Sequence, residues 1–328
     1  MTKACLDDYD VEEVLAQVHS NVTHLKYECR KEKPEWSDVA KAFPSLSSIE
    51  LNCYSYRADQ SRLIDAVFFA HFPALKQLIA RGCLVQLEGV DPANLSKLET
   101  VTISSVLDAE YLSVFGNLPK LSHLEVSVQG KSLVFDATSL SGLESVNLAL
   151  PSVELLDIDL KAVNSLRKLD LNDESYHFDK DTQLTVKRLS LPDSLNELRL
   201  SLPCVDGLSD NVLGDTPHMS KLEVNITTAA LPEKMFGNLL SADELTIMLK
   251  KPTPSLPDGL FSQLKRVDRL SLRMNNSSCN IDCLLHDELT VKELALSNAE
   301  GAMSGFAQVK QPALEKIDLF GASIDDLG

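Results

Sequence analysis

The sequence predicts an α/β solenoid: a horseshoe of stacked coils, with one parallel β-sheet on the concave face and irregular or short helical segments on the convex side. The first observation behind this is a repeated apolar phrase, Φ-x-x-Φ-x-Φ. It opens at Val22, Leu46, Leu75, Leu98, Leu121, Leu143, Leu166, Leu195, Met219, Ala242, Val267, Val291 and Leu314. The second is its spacing: ten of the twelve intervals span 22–25 residues, and the other two span 29. The third is physical. No single unit can bury its own apolar ladder, so neighbouring units must stack and share one continuous core.

Before the first ladder, residues 1–20 read as an N-terminal cap. Val11, Val14, Leu15 and Val18 have helical spacing, with Asp10 and Glu13 in capping-box positions. Residues 21–328 then read as a solenoid of about 13 coils. The long interval from Leu46 to Leu75 holds Leu63, Ile64, Val67 and Phe68 at helical spacing, so a helix is expected on that coil. The second long interval, from Leu166 to Leu195, carries the acidic stretch Asp173–Asp181 and a competing ladder, Val186/Leu189/Leu191, which leaves two registers open. No polar closing segment follows Leu314/Ile317/Leu319. Solenoids need such caps, so the natural chain is expected to continue past Gly328.

The composition narrows the function classes. A net charge of −17 argues against a nucleic-acid partner, because phosphate binding needs a basic stripe. No run of about 18 apolar residues is present, so no membrane insertion is expected in this segment. Met1-Thr-Lys-Ala-Cys5 runs directly into acidic residues, which fits a cytosolic protein or a chain whose leader was removed. No P-loop, dinucleotide fingerprint, nucleophile elbow or H-E-x-x-H occurs, and an enzyme is not expected. Cys279, Cys283 and His286 supply only three ligands at a spacing foreign to structural zinc. The acidic group Asp170, Asn172, Asp173 and Glu174 lacks the glycine-punctuated spacing of a calcium loop. No cofactor and no metal are therefore expected.

Two segments carry a finer resemblance. Leu231-Pro-Glu-Lys-Met-Phe236-Gly-Asn-Leu239 and Leu256-Pro-Asp-Gly-Leu-Phe261-Ser-Gln-Leu264 match L-P-x-x-x-F-x-x-L, and Phe115-Gly-Asn-Leu118 carries its second half. The chain thus resembles extracellular leucine-rich-repeat proteins, in particular an insect-type Toll receptor ectodomain or a secreted innate-immune leucine-rich-repeat protein. The resemblance implies a protein ligand, dimerisation on ligand binding and an extracellular or cell-surface location. One feature departs from it. The ninth position, usually Asn, is Asn only at Asn275; elsewhere it is Arg30, Tyr54, Cys83, Val106 and others. A cytoplasmic scaffold or adaptor is the alternative reading.

Cysteines and sequons bear on the same choice. Cys29 and Cys53 occupy one repeat position in adjacent coils, within disulfide reach across strands about 4.8 Å apart, and Cys53 to Cys83 is another neighbouring-coil option. Proteins of the resembled kind commonly staple the N-terminal cap beside the first strand, which implies Cys5–Cys29. The expected pairs are then Cys5–Cys29 and Cys53–Cys83, with Cys204 a buried thiol. Sequons begin at Asn21, Asn94, Asn225, Asn275 and Asn276; Asn94 and Asn276 suit turns, Asn225 a strand end, and Asn275 a ladder position where a glycan would not fit.

Between ladder residues, the x positions face outward and form columns from coil to coil. The column before the second ladder residue reads His24, Ser48, Gln77, Thr100, His123, Ser145, then Lys168, Glu197, Lys221, Glu244, Arg269, Glu293, Lys316. Its second half alternates in sign, which is expected to be a self-neutralising ladder rather than a binding strip. The first half is uncharged and polar, and the adjacent column adds Glu50, Thr102, Glu125, Asn147 and Asp170. The ligand surface is accordingly expected on the concave face at Ser48, Glu50, Gln77, Thr100, Thr102, His123, Glu125, Ser145 and Asn147.

Overall fold

Every one of the thirteen ladders becomes a parallel strand. The computed structural model describes residues 2–7, 11–29, 34–53, 63–137, 139–172, 184–202, 205–208, 210, 212–226, 232–249, 260, 262–274, 288–297 and 313–320. The chain divides into two compact units, one of residues Met1–Gly130 and Val134–Ala149, the other of Lys131–Leu133 and Leu150–Gly328.

In the first unit the strands are β1 (Thr2–Asp7), β2 (Val22–Cys29), β3 (Ser48–Cys53), β4 (Leu63–Ile64), β5 (Gln77–Arg81), β6 (Leu84–Val85), β7 (Thr100–Asp108) and β8 (His123–Gln129). After β9 (Ser132–Asp136), whose residues are shared between the units, β10 (Ser145–Ala149) completes the set. The main sheet of this unit runs β1-β2-β3-β5-β7-β8-β10, and β4 pairs with β6. Its ladder residues are the core: Leu25, Ile49, Leu78, Val101, Leu124 and Val146 are each at most 2% exposed. The turns repeat one hydrogen-bond device that sets the register. A carbonyl just before each of β3, β5, β7 and β8 accepts two N–H groups from the next coil. Ser47 O accepts from Lys76 and Gln77, Lys76 O from Glu99 and Thr100, and Glu99 O from Ser122 and His123.

Away from the sheet, the connecting segments are short helices: α1 (Val11–Leu15), α2 (Trp36–Ala42), α3 (Ala66–His71), α4 (Pro92–Leu95) and α5 (Leu112–Phe115). The Asp65 carboxylate caps α3 by accepting from Phe68 N, and Asp91 caps α4 by accepting from Ala93 N. Trp36 of α2 packs edge-on against Phe68 and Phe72, with ring centroids 4.9 and 6.2 Å away. Phe68 and Phe69 are almost fully buried. These rings fill the long coil before β5, where an aromatic layer replaces leucine.

In the second unit the main sheet runs through β12 (Lys168–Asn172), β14 (Glu197–Leu202), β16 (His218–Ile226), β17 (Ser241–Leu249), β18 (Arg266–Met274), β19 (Thr290–Ser297) and β20 (Lys316–Phe320), in that order. A second parallel sheet pairs β11 (Leu155–Asp159), β13 (Leu184–Ser190) and β15 (Val205–Asp206). This resolves the two registers left open by the sequence. The Leu166 and Leu195 ladders pair as Lys168↔Glu197 in the main sheet, while Val186 and Leu189 of the competing ladder belong to the second sheet.

Three expectations need correction. Residues 1–20 do not form only a helical cap: Thr2–Asp7 is a strand paired with β2, with Leu6 on the core side opposite Tyr27. Helix α1 is five residues long, and Val18 is 72% exposed rather than packed. In the long coil, Leu63 and Ile64 pair with Leu84 and Val85 as a short bridge, and the helix starts only at Ala66.

Candidate functional site

The nine residues expected to form the ligand surface all lie on the outward side of one sheet, that of the first unit. Strand alternation places residues between buried ladder positions toward solvent. Parallel pairing then aligns His24, Ser48, Gln77, Thr100, His123 and Ser145 as one row. Lys26, Glu50, Ile79, Thr102, Glu125 and Asn147 form the next row. Equal positions in successive repeats become spatial neighbours, so the columns read from the sequence are rows on the surface.

These rows divide into two kinds of surface. Over β2, β3 and β5 most polar groups bond one another, but His24 Nε2 is buried with no hydrogen-bond partner among the described residues. The Ser48 hydroxyl lies 2.6 Å from His24 Nδ1 and 2.7 Å from Gln77 Oε1. Glu50 accepts from Arg81 at 3.1 Å and from the Asn52 amide at 3.2 Å, and Lys26 pairs with Glu28 at 2.8 Å. Partial burial raises the Glu50 carboxyl, but the Asn52 amide and the charges of Lys26, Arg81 and Lys3 outweigh it and hold it below the usual carboxylate range. Burial and then the nearby Lys3 charge push His24 below the usual imidazole range, against the opposing pull of Glu50. The sequence reading missed this cluster because Asn52 and Arg81 sit one column further along their strands. The signal was present, since both occupy the same repeat position as Glu28.

Over β7, β8 and β10 the surface is different. His123 and Glu125 are exposed, and their neighbours Thr100, Thr102, Ser145 and Asn147 are half-buried. The Thr102 hydroxyl donates to Glu125 at 3.3 Å, and His123 Nδ1 lies 2.8 Å from the Ser122 hydroxyl. Among the described residues Glu125 makes no ion pair, in contrast to Glu50.

In the second unit the sign-alternating column is in register at every step, from Lys168↔Glu197 through Lys221, Glu244, Arg269 and Glu293 to Lys316. Lys168 and Glu197 approach to 3.5 Å, and Arg269 bonds Glu244. The next row is also paired off: Arg199 reaches Asp170 at 3.5 Å and Glu223 at 3.2 Å. A depression of about 190 Å³ is lined by Thr246, Ser271 and Ala295 together with Arg269, Arg273 and Glu293. On the second sheet, Asp157 accepts from Lys187 at 2.8 Å and Arg188 at 2.6 Å. The bonds from Lys187 and then Arg188 hold its carboxyl below the usual range.

The four described cysteines form no disulfide. Cys5 pairs in register with Lys26, three positions before Cys29, and is exposed whereas Cys29 is buried. The two thus sit on opposite faces and about 10 Å apart along paired strands, which overturns the expected Cys5–Cys29 bond. Cys53 and Cys83 have their Sγ atoms 2.6 Å apart. Among the sequons, Asn21 is exposed and Asn94 lies half-buried in α4. Asn225 is 7% exposed, and its Nδ2, the atom that carries an N-glycan, donates to Ser201. The expected glycan at Asn225 does not fit that placement. Asn275, Asn276, Cys204, Cys279, Cys283, His286, Asp173 and Glu174 lie outside the described residues. No group of three metal-ligating side chains is gathered among the described residues, and none of their helices is long and apolar enough to cross a membrane.

One parallel strand per L-x-x-L-x-L phrase, stacked coil on coil, is the leucine-rich-repeat arrangement. The chain folds as a leucine-rich-repeat solenoid. No family model and no curated protein matches it. Among solved structures it is similar to a chain of the Toll–Spatzle complex of Drosophila, at 14% identity and a TM-score of 0.47, covering 99% of this chain and 50% of that one. It thus spans half the length of that chain. It is also similar to a leucine-rich-repeat protein of Leptospira interrogans, at 14% identity and a TM-score of 0.42, covering 95% of this chain and 99% of that one.

Proposed function

We propose that this leucine-rich-repeat chain is a non-enzymatic recognition module that works outside the cell. It binds a protein ligand on the outward face of its first sheet, with the weight of binding on β7, β8 and β10. The observation that carries the choice of surface is the contrast between two carboxylates in one row. Glu50 is matched by Arg81 and Asn52, whereas Glu125 is exposed beside His123 and, among the described residues, bonds only the Thr102 hydroxyl. A partner bringing a Lys or Arg and hydrogen-bonding groups would complete Glu125 without displacing an existing ion pair. The sign-alternating column of the second unit already sets opposite charges in register, so it offers little field to a ligand.

The sequence resemblance to Toll-type ectodomains extends the reading to dimerisation on ligand binding. The replaced asparagine ladder favours the other reading, a cytosolic scaffold using the same face. Affinity capture tests the binding surface: beads carrying the wild type, Glu125→Lys or His123→Trp are incubated with extracellular fluid and with cytosol of the source. The proposal expects a partner held from the extracellular fluid by the wild type and lost from both variants, whose thermal melts match the wild type. Equal recovery by wild type and variants would sink the proposed surface. A partner held only from cytosol, with Asn94 bare on peptide mapping, would favour the scaffold.

A further inference from the structure

We infer that Cys53 and Cys83 are a disulfide-forming pair that ties the end of β3 to the loop after β5, on the core side of the sheet. This stands apart from the binding face and rests on how the loop is built. Strand β5 ends at Arg81, and Gly82 follows with φ +65°. A Cβ at Gly82 would stand 2.3 Å from the Cys53 carbonyl oxygen. Only glycine lets the loop press against the end of β3 in this conformation, and the turn delivers residue 83 to the core side.

Cys83 then occupies the ninth repeat position, where an asparagine would otherwise bond the neighbouring coil. Its thiol points at the Leu51 and Arg81 carbonyls at 3.9 and 3.5 Å and meets Cys53 Sγ at 2.6 Å. That separation is about half an ångström beyond a formed disulfide bond. Both residues line a void of about 10 Å³ with Cys29, Tyr27, Trp36 and Ile64. Cys29 is the in-register neighbour of Cys53 and is the competing partner; Cys5, on the opposite face, is not.

The chemistry needs a low-molecular-weight disulfide as oxidant. Cys53 is the less buried of the pair, and its thiolate attacks that disulfide. The small molecule's S–S bond breaks, a mixed disulfide forms at Cys53, and one thiolate leaves. The Cys83 thiolate then attacks the Cys53 sulfur, forming the Cys53–Cys83 bond and expelling the second thiolate. Two protein thiols lose two protons and two electrons, and the small disulfide becomes two thiols. The bond persists where the surroundings are oxidising.

The test uses the full chain, purified reduced and equilibrated with mixtures of reduced and oxidised glutathione. It is then alkylated, digested without reductant and mapped by mass. The expected result is a linked Cys53–Cys83 peptide with Cys29 alkylated. Oxidation should also raise the thermal midpoint read from Trp36 fluorescence, and Cys83→Ser should abolish that rise. A Cys29–Cys53 peptide, or all three cysteines alkylated in the most oxidising mixture, would overturn the inference. The map needs no variant, so it decides the matter even if Cys83→Ser does not fold.

Discussion

Replacing Gly82 with alanine probes the loop that carries Cys83, and Gly89 supplies an internal control. Both glycines have positive φ, +65° and +69°, so alanine pays the left-handed penalty at each, about 1–2 kcal/mol. The stiffer unfolded chain returns about 0.4–1 kcal/mol of that. At Gly89 a Cβ would meet nothing within 4 Å, so the net loss there is about 1 kcal/mol. At Gly82 the Cβ falls 2.3 Å from a backbone oxygen, a contact that no rotamer change relieves. Moving backbone to make room adds about 1–3 kcal/mol, for a total of about 2–4 kcal/mol. The assay is urea unfolding of the reduced protein followed by the single tryptophan, Trp36, which lines the same void as Cys83. With a urea slope of about 2 kcal/mol/M, Gly82→Ala should lower the midpoint by about 1–2 M and Gly89→Ala by about 0.5 M. Equal shifts for the two variants would refute the steric argument and remove the reason for glycine before Cys83.

Other perturbations test other layers. Phe68 is fully buried against Trp36, Phe69 and Phe72, so Phe68→Ala should cost about 3–5 kcal/mol in the same unfolding assay. Lys221 stands in register between Glu197 and Glu244. Lys221→Glu turns two attractive neighbours into repulsive ones and should cost about 1–2 kcal/mol at low salt, shrinking as ionic strength rises; a loss independent of salt would contradict the ladder. Bonds from Arg266 and then Lys292 lower the Asp268 carboxyl from 3.8 to about 2. A depressed folded-state pKa contributes stability above the unfolded value, and that contribution is lost as pH falls from about 4 toward 2. Asp268→Asn should remove that part of the acid dependence, which stability measured across the window would show.

How far the sequence reaches is clear from particular residues. Lys168, Glu197 and Lys221 could be aligned without coordinates because a solenoid places equal repeat positions side by side. Strand β1 was illegible for the opposite reason. Only Leu6 of its residues is a buried large apolar side chain, so no ladder marks it, and its pairing with β2 supplies the regularity. The ladder at Val186 was legible as a strand but not as a member of the second sheet, since apolar spacing is the same in either.

The sequence by itself therefore determined the strand at each ladder, the ladder core and the rows of the outward face, because each follows from a short period repeated along the chain. Only the tertiary structure decided that Arg81 and Asn52 satisfy Glu50 while, among the described residues, Glu125 meets no cation, because that depends on which long side chains reach sideways across strands. It also separated Cys5 from Cys29, and chose Cys83 over the in-register Cys29 as the thiol that meets Cys53. Face and register settle the first, and one left-handed glycine settles the second, and neither property has a period for a sequence to display.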